Sequence, residues 1–92
     1  MRTIEAKLGD PLYNISNSGD ILKIDGKLEL VSFLHPAGCI LTYRRADTKK
    51  EGEGIEVLHR NIKNGEIIEY HFHKKGSKEY KFYNPRLKEA RI

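Results

Sequence analysis

The sequence predicts an all-β domain, either a small barrel or a strongly curved antiparallel meander of six or seven short strands, with a short C-terminal helix or tail. Three observations carry that expectation. Apolar and polar residues alternate with period two over several short stretches. Turn-forming pairs punctuate those stretches at regular intervals, Asp25-Gly26 and Asn64-Gly65 above all. A chain of 92 residues supports one thin core and little more, so residues 1–92 are expected to form a single domain.

Taken in order, residues 2–8 alternate, with Ile4, Ala6 and Leu8 on one side and Glu5 and Lys7 on the other, as a first strand with one wet face does. Gly9-Asp10-Pro11 stops it, and residues 11–20 are mostly turn formers, which reads as a long flexible loop. Asp25-Gly26 joins strands at 21–24 and 27–34. The second of these is nearly continuous apolar apart from Glu29 and Ser32, as expected of a central strand covered on both faces or bent around a corner. Residues 35–38 read as a tight connection, 39–44 as a strand ending in Tyr43-Arg44-Arg45, and 46–54 as an exposed, mobile polar loop.

Residues 55–83 read as two hairpins in series that share the strand 67–72. A two-residue turn at Asn64-Gly65 needs φ > 0 at both positions, which Asn and Gly tolerate best. Counting outward sets Arg60 opposite Glu69, His59 opposite Tyr70, Val57 opposite Phe72 and Glu56 opposite His73. Ile55, Val57, His59, Ile68, Tyr70 and Phe72 then face the core. A three-residue loop at Lys75-Gly76-Ser77 sets Phe72 against Tyr80 and Tyr70 against Phe82, leaving Lys81 and Tyr83 outside. Asn84-Pro85 has the form of a helix start, with Leu87 and Ala90 turned inward.

These elements are the parts of an OB-like or SH3-like barrel, an analogy of architecture rather than a family motif. No apolar run of membrane-spanning length and no signal-peptide pattern is present, and the lone Cys39 has no partner for an internal disulfide. A soluble, cytoplasmic protein with no membrane association is the expectation. The absence of Gln and Trp beside abundant charge hints at a heat-adapted source.

Charge is uneven: residues 1–56 carry a net −1 and residues 57–92 a net +5. Cations spaced along a backbone with flat rings beside them are what phosphates and unpaired bases need. The nucleic-acid-binding candidates are therefore Tyr43, Arg44, Arg45, Lys74, Lys75, Lys78, Lys81, Tyr83 and Arg86, with Lys88 and Arg91 nearby. The bland alternative is a solvated hairpin tip whose lysines discourage edge pairing.

The leading reading is a non-catalytic domain that holds nucleic acid without reading its sequence. The competing reading is a protein-interaction module, an accessory subunit of a nucleic-acid machine or a small inhibitor of a host enzyme, docking through edge strands at 2–8 or 79–83. A homodimer by edge-strand pairing is compatible with either.

Two further constellations compete with a bland wet face. His71 and His73 with Glu56 opposite have the donor types of a zinc site but no identifiable supporting shell. His35, His59, Arg60, Glu69 and Tyr70 are residue types of a metal-free ribonuclease, but the expected register separates them onto two faces. No phosphate-binding glycine loop, nucleophile elbow or Cys/His metal cluster occurs, and no cofactor is expected.

Overall fold

The computed structural model describes residues 2–35 and 38–92, with side chains for all of these except Phe33, Leu34 and His35. The connection expected at 35–38 and the His35 side chain lie outside the described residues. Six strands, β1 (Thr3–Ala6), β2 (Ile21–Ile24), β3 (Lys27–His35), β4 (Cys39–Thr48), β5 (Gly52–Asn61) and β6 (Ile67–Lys74), form one sheet in sequence order, and a helix, α1 (Lys78–Ala90), follows. From β2 to β6 the sheet is the antiparallel meander read from the sequence. Pairing runs linearly, so β1 and β6 are its two edges and the expected barrel closure is not seen.

β1 departs from the meander by pairing parallel to β2. The long connection between them makes that possible, since parallel neighbours need a crossover and not a tight turn. This connection is also no floppy loop. The Gly9 and Leu12 amides donate to the Asn64 and Ile62 carbonyls, each at 2.7 Å, and Leu12 and Ile15 are buried. It lies as a cover across one side of the sheet, over Leu22, Ile24, Val31 and Ile40.

Asp25-Gly26 behaves as expected, with φ of 50° and 78° closing a two-residue hairpin between Ile24 and Lys27. Residues 46–54 do not. β4 and β5 are ten residues each and pair from Cys39–Asn61 to Thr48–Gly52, leaving only Lys49-Lys50-Glu51 as the turn. The polar composition that resembled a loop belongs to a ladder with one wet side, on which Arg45, Asp47 and Glu53 are exposed, while Ala46, Thr48 and Gly54 on the other are half-buried or buried.

At Asn64-Gly65 the bend takes another form. Only Gly65 has positive φ (75°), and the closing pair is Asn61–Glu66, with the Asn61 amide on the Glu66 carbonyl at 2.8 Å. Side chains replace the missing left-handed residue: Asn61 Oδ1 accepts from the Lys63 amide and Asn64 Oδ1 from the Glu66 amide. Ile68 is then an extra residue, a bulge, between the Arg60–Ile67 and His59–Glu69 pairs. Beyond it Val57 pairs with His71 and Leu58 with Tyr70, one residue from the expected register. With a side-chain period of two, that slip turns over every β6 side chain from Glu69 onward. Tyr70 and Phe72 leave the face of Val57, while Glu69, His71 and His73 join it.

The segment expected as a last strand is helical. Ser77 caps it, its Oγ accepting from the Tyr80 amide at 3.2 Å, and Glu79 sits in the first turn, where the helix dipole favours an anion. The start lies before Asn84-Pro85, and Pro85 is inside the helix. Alternating Tyr80 and Phe82 mimic a strand, yet Tyr80, Tyr83, Leu87 and Ala90 also fall on one helical stripe. That stripe packs on Ile21, Leu30, Tyr43, Ile55 and Val57. The sheet is thus sandwiched between the cover on one side and α1 on the other.

Candidate nucleic-acid interface

With one side of α1 committed to the core, helical geometry puts Lys78, Lys81, Phe82, Arg86 and Lys88 on the solvent side, and all five are exposed. Between Lys74 and Arg91 the chain carries seven cations and two carboxylates, net +5 against +4 for the whole protein. The basicity therefore resides in this one segment. Among the described residues, Lys74, Lys78, Lys81, Arg86 and Lys88 form no ion pair, whereas Lys75 Nζ meets Glu53 at 3.2 Å.

Phe82 is 57% exposed, and the Arg86 guanidinium lies over its ring, 4.2 Å from the centroid. One turn of helix places them in contact, and Arg86 Nη1 is tethered to the Phe82 carbonyl at 2.8 Å. This gives a flat aromatic surface with a cation held beside it. Strand reading put Phe82 inside, so the ring best placed to meet a base was missed; the Phe82-x-x-x-Arg86 spacing is the signal that points to it.

The remaining sequence candidates fall elsewhere. Tyr43 is 1% exposed under α1, and burial pushes its hydroxyl pKa up to about 12, so it has no face to offer a base. Tyr83 is half-buried, its ring already engaged by Tyr43 at 4.6 Å and His73 at 6.0 Å. Arg45 is exposed at the far end of β4, with Nε on the Ile92 carbonyl at 3.2 Å. Arg44 is on the opposite side of the sheet, inside an ionic network.

That network is the feature sequence reasoning missed altogether. Glu29 is fully buried and accepts four hydrogen bonds: Thr42 Oγ1 (2.7 Å) and Arg60 Nε (2.9 Å) on one oxygen, Arg44 Nη1 and Arg60 Nη2 (both 2.6 Å) on the other. Arg60 also gives Nη1 to the Gly65 carbonyl at 2.7 Å, and Arg44 gives Nε to Glu56 at 2.9 Å. The Tyr70 hydroxyl donates to the second Glu56 oxygen at 2.6 Å. Burial pushes the Glu56 carboxyl up, but the Tyr70 and Arg44 hydrogen bonds outweigh it and hold the group below its ordinary value. Burial and the bond to Glu56 raise Tyr70 to about 12.

A cleft of about 370 Å³ opens beside this network, lined by Ile24, Asp25, Lys27, Arg44, Glu66 and Ile67 among others. Both signs of charge share its wall, and its two arginines are already paired. It is not an anion cradle.

The slipped register also rearranges the histidines. His71 Nε2 lies 2.9 Å and His59 Nε2 3.6 Å from Glu69 Oε2, and the His71 hydrogen bond holds the Glu69 carboxyl below its ordinary value. Glu56 faces the other way, so the zinc donor set His71, His73 and Glu56 is not assembled, and among the described residues no group of three metal-ligating side chains converges. Arg60 and Tyr70 likewise stand across the sheet from His59 and Glu69. Cys39 is free and half-buried. Among the described residues no helix is long and apolar enough to cross a membrane. Comparison with protein-family models, with curated proteins and with solved structures found no significant match.

Proposed function

We propose that this protein binds nucleic acid without reading its sequence, through the outer side of α1 and the turn that leads into it. One observation carries the reading: the exposed Phe82–Arg86 stack stands among lysines, Lys74, Lys78, Lys81 and Lys88, that form no ion pair among the described residues. Lys74, Lys78, Lys81 and Lys88 contact phosphates, and Phe82 with Arg86 offers a surface on which an unpaired base stacks. Rigidity suits the role, because α1 is locked to the sheet by Tyr83, Leu87 and Ala90.

Fluorescence anisotropy with labelled single- and double-stranded oligonucleotides tests it. Neutralising about three or four phosphates gives a log–log salt slope of roughly −2 to −4. Lys78→Glu with Lys81→Glu weakens every oligonucleotide alike, whereas Phe82→Ala weakens single strands by about 1–3 kcal/mol and duplexes far less. No anisotropy change at low salt with either form overturns the reading.

A further inference from the structure

β6 is an open edge, and an unusual one. Natural edge strands are commonly short, charged or broken by proline. This one is eight residues long, and it exposes Ile67, Ile68 and Tyr70, which are 46%, 58% and 47% exposed. Among the described residues no strand pairs with its outer side. The chain turns away at Gly76 (φ 91°), and α1 lies over the face of the sheet, where Tyr83 stacks on His73, and adds no strand to the edge.

The direction of the free backbone groups follows from one bond. The Lys75 amide donates to the Glu53 carbonyl at 3.0 Å, so in an antiparallel ladder His73, His71 and Glu69 also aim their backbone groups at β5. Those of Phe72 and Tyr70 point outward, unpaired, with a large ring on each residue.

We infer that this edge pairs with the β6 edge of a second copy of the chain, antiparallel about a two-fold axis at Tyr70, to make one continuous twelve-stranded sheet. The sequence of the strand is self-complementary about that point. Tyr70 meets its own copy through two backbone hydrogen bonds, Glu69 faces the partner's His71 and His71 the partner's Glu69, and Ile68 faces the partner's Phe72. Shifting the axis to His71 sets that imidazole against itself, and shifting it to Phe72 sets Tyr70 against Lys74. The axis at Tyr70 is the register that matches acid with base and apolar with apolar. Tyr70 keeps its bond to Glu56, so pairing leaves the ionic network intact.

Sedimentation equilibrium tests this at protein concentrations up to about 100 µM. The expected mass is twice the chain's 10.6 kDa. His71→Glu puts like charges opposite each other at two places and weakens the dimer about tenfold. Adding Glu69→Lys to that variant restores complementary charge, and with it the dimer. Far-UV circular dichroism checks that each variant is folded; all these positions are exposed or half-exposed, so folding is retained. A monomeric wild type overturns the inference, including the case in which the edge takes another protein. A dimer that His71→Glu does not weaken, or that the second change does not rescue, overturns the stated pairing.

Discussion

Replacing Arg60 with Met isolates what the buried network contributes. Arg60 is 4% exposed and makes three hydrogen bonds, two to the fully buried Glu29 and one to the Gly65 carbonyl. Methionine fills much of the same volume but donates nothing, so Glu29 keeps only Thr42 and Arg44, and the Gly65 carbonyl loses its side-chain donor. Breaking one partner out of a buried ion pair costs about 3–5 kcal/mol. The remaining two donors to Glu29 place this case near 3 kcal/mol. A domain of this size has only about 5–14 kcal/mol of total stability, so the loss is large. Urea unfolding followed by circular dichroism measures it as a drop in midpoint at constant slope. Glu29→Met combined with Arg60→Met removes both charges, and the pair costs clearly less than the sum of the two single changes. A cost below about 1 kcal/mol for Arg60→Met, or simple additivity of the pair, refutes the idea that these charges depend on each other in a dry interior.

Three further outcomes follow from the same geometry. Gly54→Ala destabilises the fold by about 1–3 kcal/mol in the same urea assay, because a methyl there meets the His73 carbonyl and comes within 2.5 Å of the Phe72 ring, forcing β6 outward. In a spectrophotometric titration of the five tyrosines, two ionise late, near pH 12; Tyr70→Phe removes one of them and leaves the other, Tyr43. Stability falls in acid because Asp20, held down by its hydrogen bond from Arg2, and Glu56 both have lowered folded values. A lowered carboxylate stabilises fully above its unfolded value, 3.8 for Asp20 and 4.5 for Glu56, and that contribution is lost as pH falls through the folded value. Midpoints in urea are therefore flat above about pH 5 and decline below it, and the decline is shallower in Glu56→Gln.

Local chemistry was legible where it was self-sufficient. Asp25-Gly26 closes its hairpin as read, because both residues accept positive φ. Asn64-Gly65 carries an equally strong local signal but yields to its surroundings. A four-residue bend brings the Gly65 carbonyl to Arg60 and its amide to the Asn61 carbonyl, and counting from a turn cannot anticipate that pull. The helix start was hidden by a rival signal. Asn84-Pro85 resembles a cap, while Ser77 with Glu79 supplies the actual one, and the aromatic alternation at Tyr80 and Phe82 disguised a helical stripe. The ionic network did leave a trace in the sequence. Glu29 sits in an otherwise apolar strand, and a buried carboxylate must find a partner. Arg44 and Arg60, one in each of the next two strands, were the available ones.

The way the N-terminal cover is fastened sets an order of events. Its amides at Gly9 and Leu12 are held by carbonyls of Asn64 and Ile62, fifty or more positions along the chain. Ribosomal synthesis thus releases β2, β3 and β4 before their cover has anything to grip, with Leu22, Ile24, Val31 and Ile40 wet in the meantime. The same long closure makes β1 and its cover the least costly part of the domain to detach. In deuterium exchange their amides trade early, while the central β3–β5 ladder holds its protons until the entire domain opens.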